Sequence, residues 1–416
     1  MKLARAAAAL LGTALTASPA LCMEAEERAR VLSELEALKG RIAELEALLA
    51  DETAETAADA NAPVTKDPPA DRDGIGFGGA VRLNYGWKDY DDASKDRAGD
   101  FELELVRINF DGEIGGVGLS AEHRWYNGFE AIHHAYFEWP VRDDGFRAQL
   151  GITQVPFGIL PWASHSYWFG GTYYMGFEDD YDTGLKFLWN GGPWEAQLAF
   201  YKNPEYADDS RYGRYSFDVV TGGDQQNSEI NQWNARLARR VEHAGGQTTL
   251  GGSLQYGALY NRTTGRDGDR WALAVHADSR LGPWNLQAQY IRYDYSPENP
   301  AGVSDDTIQM GGFDFPFLMA AEGEVVSLNL ARALDVEFGP VTGITCYNDL
   351  THISPRAGWQ RESIQNVTGC SISAGGLYTY VDWIAGKNMW FSGGPGIGLD
   401  DNRWRSRLNV NLGYYF

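Results

Sequence analysis

The last thirteen residues alternate strictly between apolar and polar side chains. Counted back from the C-terminus in steps of two, one set is Phe416, Tyr414, Leu412, Val410, Leu408, Ser406 and Trp404. The residues between them, with Arg403 added, are Tyr415, Gly413, Asn411, Asn409, Arg407, Arg405 and Arg403. Because successive residues of a strand point to opposite faces, this pattern predicts a strand with one apolar face and one polar, cationic face. Aromatic residues at both ends of the apolar face favour a strand that crosses a membrane in a barrel over a strand packed on a soluble core.

The composition of the whole chain fits this interpretation. Aromatic residues make up 13% of the sequence and there are 49 glycines, yet the mean hydropathy is only −0.38. A helical membrane protein needs apolar runs of about twenty residues, and none follows the N-terminal region. A barrel distributes its apolar residues in alternation, so its average hydropathy stays low.

Alternating segments recur from Gly74 to the C-terminus, separated by Gly, Asn, Pro or Asp. The predicted strands are 76–87, 101–110 with a bulge, 117–126, 131–139, 145–155, 183–189, 194–201, 231–241, 248–260, 270–278, 284–293, 324–332, 338–347, 370–383, 388–393 and 403–416. Short connections alternate with long ones, and the long ones are 156–182, 203–229, 294–322 and 348–369. Short turns at one end and long loops at the other indicate a membrane barrel rather than a secreted soluble β protein. We therefore predict an all-β membrane fold, a 16-stranded antiparallel transmembrane β-barrel, over residues 74–416.

The first 22 residues have the basic, apolar and small-residue regions of a secretory signal peptide. Cleavage after Ala20 and cleavage after Cys22 both fit. Acylation of Cys22 is the alternative, but Leu21 occupies a position where a lipoprotein signal needs a small residue. We expect the mature protein to leave the cytoplasm.

Residues 23–50 are charged and carry apolar residues at alternating spacings of four and three. These residues are Val31, Leu35, Leu38, Ile42, Leu45 and Leu49. The spacing is that of a heptad repeat and predicts a short coiled coil, with a single amphipathic helix as the alternative. Residues 51–73 are rich in Ala, Thr, Asp and Pro and read as a flexible linker.

Two cysteines, Cys346 and Cys370, remain in the predicted barrel. An even and low number of cysteines suits an oxidising compartment, where a pair persists as a disulfide. We expect a disulfide that closes the loop between two strands, and two free thiols are the alternative.

Alternation also predicts which charged side chains face the barrel interior. The basic ones are Arg82, Arg124, Arg147, Lys186, Arg236, Arg270, Arg403, Arg405 and Arg407, and the acidic ones are Glu102, Glu104, Glu122 and Glu138. Inward arginines on one strand repel one another unless an acidic row or an anion lies opposite. They are therefore interpreted either as an anion path or as paired charges that brace the wall.

Three motifs contain residue types that catalysis or metal binding can use. Residues 164–166, Ser-His-Ser, have no acid nearby in sequence to orient the histidine. Adjacent His133 and His134 should face opposite sides of a strand and could not share a metal. Residues 180–184 resemble part of a calcium loop but lack its later glutamate. The sequence therefore predicts no enzyme, no metal site and no cofactor.

Several segments together resemble the phosphate-selective porins of the O and P type. They are residues 151–158, residues 174–184, residues 347–350 and the C-terminal Gly-Tyr-Tyr-Phe. The resemblance implies a sixteen-stranded, trimeric outer-membrane channel whose third extracellular loop, here 156–182, folds into the pore. One departure concerns charge: the family is described by lysine clusters at the constriction, whereas this chain has eight lysines. Its predicted constriction loop ends instead with Glu178, Asp179, Asp180 and Asp182.

Function is expected to follow from this architecture. The chain is predicted to be a bacterial outer-membrane porin for passive diffusion of small hydrophilic solutes, favouring small anions such as phosphate or organic acids. A surface adhesin or a structural barrel without transport is the alternative. Expected partners are outer-membrane lipid, lipopolysaccharide and two further copies, joined through the barrel and a coiled coil in the periplasm. The net charge of −22 argues against nucleic acid as a partner.

Overall fold

The computed structural model describes residues 73–336, 338–392, 396–399 and 401–416. Over these residues it confirms the predicted closed, antiparallel barrel of sixteen strands. The barrel strands are β1 (Gly74–Lys88), β2 (Asp100–Ile114), β3 (Val117–Tyr126), β4 (Glu130–Arg142), β5 (Phe146–Gln154), β6 (Tyr181–Gly191), β7 (Trp194–Pro204), β9 (Asn227–His243), β10 (Gly246–Asn261), β11 (Arg266–Leu281), β12 (Trp284–Ser296), β15 (Glu322–Leu334), β16 (Gly343–Pro355), β17 (Ser363–Ala374), β18 (Leu377–Lys387) and β20 (Trp404–Tyr415). The predicted signal peptide, the coiled coil and the linker up to residue 72 lie outside the described residues.

Side chains alternate between the two faces of the barrel wall as the sequence indicates. In β1 the outward side chain of Phe77 is 62% exposed, whereas the inward Arg82 is 6% exposed. In β20 the apolar set from Trp404 to Tyr414 faces outward, and Asn409 and Asn411 are buried inside. The expected bulge in β2 is confirmed by a register shift against β1. In these strands the outer face is therefore apolar and the inner face polar.

The barrel closes where β1 pairs with β20, with Ala80 opposite Tyr415. The Gly79 and Phe416 backbones exchange two hydrogen bonds, of 2.9 and 3.1 Å. A side chain at Gly79 would lie 2.7 Å from the Arg107 carbonyl and 2.9 Å from the Phe416 ring. Glycine is required here because the C-terminal aromatic packs directly on the backbone of the first strand.

Connections differ between the two ends of the barrel. The end at which β1 begins and β20 ends, named here the turn end, has short links such as Gly115 and Gly116, both with positive φ. The opposite end, the loop end, has the long connections 155–180, 205–226, 297–321 and 388–403. A one-turn helix, α1 (Asp92–Asp96), lies in the first loop and is capped by Asp91. The asymmetry predicted from sequence is thus present.

No helix among the described residues is both long and apolar enough to cross a membrane.

Part of the predicted strand assignment is wrong near the C-terminus. The segment 348–369 is predicted as a loop. It instead forms the paired halves of β16 and β17 nearest the loop end, and residues 356–362 connect them. The predicted strand 370–383 fuses the end of β17 with β18 across a turn at Gly375. The segment 388–393 contributes a 3₁₀ turn, Trp390–Ser392, and no barrel strand. One error joined two strands into one and the other counted a 3₁₀ turn as a strand, so the predicted number of strands is still sixteen.

The corrected strands change the setting of the two cysteines. Cys346 and Cys370 are direct partners in the β16–β17 ladder, and their sulfur atoms are bonded. The disulfide therefore links two paired strands instead of closing a long loop.

Three of the long loops contribute to a small second sheet, named here the cover sheet. It consists of β8 (Asp218–Val219), β13 (Thr307–Gly312), β14 (Phe315–Ala320) and β19 (Gly396–Ile397), in the order β19-β14-β13-β8. Its apolar side chains join those of residues 155–180 in the main hydrophobic core, in which Met175, Ile308 and Met310 have no exposed surface.

Candidate functional site: the barrel interior

Residues 155–180, named here the inner loop, connect β5 to β6 and lie against the inside of the barrel wall. Val155, Phe157 and Ile159 are each 3% exposed. The loop predicted from the sequence at 156–182 covers almost the same stretch. A loop buried this deeply needs partners for its backbone N–H and C=O groups, because water cannot supply them.

Inward side chains of strands β9 to β17 supply those partners. Each donates to, or accepts from, the backbone of the inner loop at 2.5–3.0 Å; in chain order they are Arg236, Ser253, Gln289, Asn329, Thr351 and Gln365. We name this side of the interior the docking wall. The inner loop is thus held along one side of the barrel.

Asp349 of β16 is the most heavily used group on the docking wall. Its carboxylate accepts hydrogen bonds from the backbone N–H groups of His165 and Ser166, both at 2.8 Å. It also lies 2.8 Å from Nδ1 of His165, whose Nε2 contacts Asn285 at 2.6 Å. The acid that the sequence around the Ser-His-Ser motif lacks is therefore supplied by Asp349, 184 residues after His165. Both ring nitrogens are occupied and the Ser164 hydroxyl donates to Glu178, so the arrangement anchors the loop and forms no nucleophile pair.

On the other side the interior contains a cavity of about 360 Å³. Four neighbouring strands, β20, β1, β2 and β3, each contribute an arginine to it: Arg407, Arg82, Arg107 and Arg124. We name this side the arginine wall. Opposite it stand aromatic side chains of the inner loop and of the loops that carry the cover sheet, including Trp162, Tyr167, Trp168, Tyr174 and Trp390.

Three arginines of this wall have acidic partners. Arg82 lies 2.9 Å from Glu104, and Arg107 and Arg124 share Glu122. These pairs leave hydrogen-bonding capacity unused, since the Nε atoms of Arg82 and Arg107 have no partner.

Arg407 differs from the other three arginines. Its guanidinium lies 3.9 Å from the centroid of the Trp168 ring and interacts with Tyr90. Among the described residues no carboxylate lies within ion-pair distance of it, and its Nε has no hydrogen-bond partner. A cation stacked on an aromatic face keeps its edge free for an anion. Among the described residues, Arg407 is thus the arginine of the cavity wall that has no carboxylate partner.

The remaining predicted pore-lining residues lie elsewhere in the interior or at its edge. Lys186 donates to the Gln154 carbonyl, Arg236 holds the inner loop, Arg270 pairs with Glu229, and Arg147 pairs with Glu138 at the turn end. Arg405 pairs with Asp401. Arg403 precedes β20 and its side chain is 78% exposed, so its predicted inward position is wrong.

Arg107 was missed by sequence reasoning. It follows the bulge in β2, after which Val106, Ile108 and Phe110 form the outward set. Continuing the alternation past the bulge would have placed Arg107 and Asn109 inside.

The four acidic residues expected at the constriction are all buried, and one of them lines the cavity. Glu178 accepts hydrogen bonds from the Ala163 backbone and the Ser164 and Thr172 hydroxyls. Burial raises the pKa of Glu178 to about 7, an effect that these hydrogen bonds partly offset. Asp179 lines the cavity and accepts from Tyr215 and Gln154. Burial raises the pKa of Asp179 to about 6.

Asp180 and Asp182 lie away from the cavity. They approach Asp218 of the cover sheet, and carboxylate oxygens of the three residues lie within 4.8 Å of one another. The four predicted constriction residues therefore have three settings. Glu178 holds parts of the inner loop together, Asp179 lines the cavity, and Asp180 and Asp182 belong to a buried cluster of carboxylates.

The predicted opposition of His133 and His134 is wrong. The β3–β4 register shifts between Glu122 and His123, which leaves His133 without a partner in the ladder. Both rings consequently point inside, are buried and lie 2.8 Å apart at Nδ1.

The fold is similar to that of bacterial outer-membrane proteins of known structure. The outer membrane channel DcaP of Acinetobacter baumannii has a TM-score of 0.51 at 13% identity, covering 84% of this chain and 99% of that one. The outer membrane protein OmpT of Vibrio cholerae, folded in vitro, has a TM-score of 0.54 at 12% identity, covering 85% and 100%. An anion-selective porin from Comamonas acidovorans has a TM-score of 0.50 at 11% identity, covering 83% and 100%.

No family model and no curated protein matches the sequence. The structural neighbours include bacterial outer-membrane porins, and at these identities the similarity shows that the chain shares their barrel fold.

Proposed function

We propose that this protein is an outer-membrane porin that forms a water-filled channel for passive diffusion of small hydrophilic solutes. The supporting observation is the division of the interior: the inner loop is fastened to the docking wall, and a charged cavity stays along the arginine wall. A barrel with an apolar outer face and a polar, partly open interior suits a lipid bilayer and an aqueous solute.

The channel favours small anions such as phosphate or organic acids. Support comes from the four arginines of the cavity and above all from Arg407, which faces no carboxylate among the described residues. A guanidinium presents a planar set of donors that matches carboxylate and phosphate oxygens. The anion-selective porin among the structural neighbours has the same fold and is consistent with this preference.

The proposal includes the organisation of the whole chain. Residues 1–22 act as the signal peptide, residues 23–50 form a periplasmic coiled coil, residues 51–73 act as a linker, and residues 74–416 span the outer membrane as a homotrimer. The turn end, at which β1 begins and β20 ends, faces the periplasm. Deletion of 23–50 should lower the melting temperature of the trimer in detergent, and an unchanged number of chains per oligomer together with an unchanged melting curve would contradict a role for this segment.

Recording in planar lipid bilayers tests the channel. Stepwise conductance is expected from the purified full-length protein, and a silent barrel that still binds cells would favour the adhesin alternative. In a KCl gradient the reversal potential should show anion preference.

Arg407→Gln tests the source of the preference. It should lower the ratio of chloride to potassium permeability about fivefold, since a charge near a hydrated wall is worth about 1 kcal/mol. Arg403→Gln is the matched control, because Arg403 is on the same segment but exposed and paired with Asp401. An equal effect of the two variants, or cation preference in the wild type, would contradict anion selection by the arginine wall.

A further inference from the structure

Three aspartates from separate parts of the chain converge beside the docking wall. Asp180 ends the inner loop, Asp182 lies in β6, and Asp218 lies in β8 of the cover sheet. Their side chains are 5%, 2% and 1% exposed, and one carboxylate oxygen of each lies within 4.8 Å of the others. Sequence spacing could not show this group, because the third carboxylate comes from a different loop.

The charges around the three aspartates do not balance among the described residues. Glu205 and Glu229 are close enough to interact electrostatically with Asp180, which brings the group to five carboxylates. Two guanidinium groups oppose them: Arg214 lies 3.1 Å from Asp218 and 3.6 Å from Glu205, and Arg270 pairs with Glu229. Buried like charges this close repel strongly unless a cation or protons compensate them.

A separate observation concerns oxygen atoms that have no partner. Gln232 of β9 is 3% exposed, and its amide nitrogen donates to Asp182 at 3.0 Å. The oxygen of this amide, which contacts the carboxylate through its nitrogen, has no hydrogen-bond partner. One oxygen each of Asp180 and Asp182 is unpartnered as well. Buried oxygens without donors are uncommon in folded proteins, and a bound cation accounts for them where several converge.

We propose that Asp180, Asp182 and Asp218, together with the amide oxygen of Gln232, bind a Ca²⁺ ion. Ca²⁺ takes six to eight oxygen ligands and accepts carboxylates and amide oxygens in flexible geometry. Mg²⁺ usually keeps several water ligands, which a group this deeply buried does not favour. The ion joins the end of the inner loop, the first residues of β6 and the cover sheet, so it fixes the loop and the sheet to the wall.

The variant Asp180→Asn distinguishes a bound Ca²⁺ ion from a metal-free cluster, because the two predict opposite changes in the stability of the folded protein. Without a metal, the substitution removes a repelling charge and should leave stability unchanged or increased. With Ca²⁺ bound, it removes a ligand and should abolish the stabilisation by the ion. The variant keeps the shape of the side chain, and heat-modifiable migration on gels verifies that the barrel has folded.

The first measurement compares melting temperatures of full-length protein in detergent with Ca²⁺ and with a chelator. Wild type should melt about 5 °C higher with Ca²⁺, and Asp180→Asn should lose this difference. Glu178→Gln is the matched control, since Glu178 is equally buried two residues away but bonded to Ser164 and Thr172. It should keep the Ca²⁺-dependent difference. Equal restoration by Mg²⁺ would overturn the choice of calcium.

The second measurement counts the ion directly. Metal analysis of protein dialysed against trace Ca²⁺ should find one more Ca²⁺ per chain in wild type than in Asp180→Asn. Calcium carried by lipopolysaccharide is common to both samples and cancels in the difference. Tb³⁺ should replace the ion and luminesce through Tyr201 and Tyr295, which interact electrostatically with Asp180. Equal metal content and equal Tb³⁺ luminescence in the two proteins would overturn the site and assign the balance of charge to protons.

Discussion

The docking wall and the arginine wall are both polar, yet one is filled and the other is not. Side chains of the docking wall, many of them neutral amides and hydroxyls, pair with backbone groups of the inner loop. Guanidinium groups of the arginine wall pair with carboxylates or stack on aromatic rings and keep free donors. A buried backbone must find partners, so the wall that supplies them determines where the loop lies. The opposite wall is left to line the cavity.

The largest expected effect comes from breaking the docking wall at Asp349. Asp349→Ala leaves the backbone donors of His165 and Ser166 and the His165 ring without their buried acceptor. Hydrogen bonds to a buried charge are worth about 1.5–3 kcal/mol each, so the docking of the loop should weaken by about 3 kcal/mol or more. The loop should leave the wall, and single-channel conductance should become larger or fluctuate between levels.

Asn348→Ala is the control for Asp349→Ala. Asn348 is the preceding residue of β16 but faces outward, where it bonds to Asn366 and Thr368. The single-channel conductance of Asn348→Ala should equal that of wild type. A steady, unchanged conductance in Asp349→Ala would show that other contacts of the docking wall suffice.

The next effect in size is the pH dependence of stability that Glu178 causes. The pKa of Glu178 is raised by burial from 4.5 to about 7, so the folded chain holds this proton more tightly than the unfolded chain. The free energy of unfolding should therefore fall as pH rises from about 4.5 to about 7, by roughly 3 kcal/mol for this group. Glu178→Gln has no proton to lose, so its melting temperature should fall less over the same range.

The measurement for Glu178 is the difference between two pH series. Melting curves of wild type and Glu178→Gln are compared between about pH 5 and pH 8, with Ca²⁺ present in both. The exposed Asp224→Asn serves as a control and should follow the wild-type slope. Parallel slopes for wild type and Glu178→Gln would show that this carboxyl does not titrate in the range.

The barrel could be predicted because alternation is a local signal. In β1 and β20 apolar residues occupy every second position, facing outward, except at Gly79 and Ser406, so both strand and face follow from a dozen residues. The signal failed at 348–369 because the outer face is polar there: Asn348, Asn366 and Thr368 form a hydrogen-bonded group on the outside of β16 and β17. Without apolar residues at every second position, two paired strands resembled a loop.

The interior could be predicted only in part because its contacts join distant segments. Arg82, Arg124 and Arg407 were placed inside by alternation, and they line the cavity. No local pattern, however, indicates that Asp349 would anchor His165. The same limit applies to Glu178, Asp179, Asp180 and Asp182. Four acids in five positions suggest one constriction, whereas Glu178 contacts Ser164, Asp179 contacts Tyr215, and Asp180 and Asp182 join Asp218.

The smallest expected effect tests whether pairing on the arginine wall limits its selectivity. Glu104 accepts from Arg82 at 2.9 Å and also from Tyr167 and Asn411. Glu104→Gln keeps the shape and an accepting oxygen but removes the charge that offsets Arg82. The ratio of chloride to potassium permeability should therefore rise, by about fivefold or less, and the rise should fade at high salt as screening increases. Glu113→Gln, an exposed position of the same strand at the turn end, should leave the ratio unchanged. If Glu104→Gln instead alters conductance and not the ratio, then Glu104 serves the inner loop through Tyr167, and the ion pair with Arg82 is a brace of the wall.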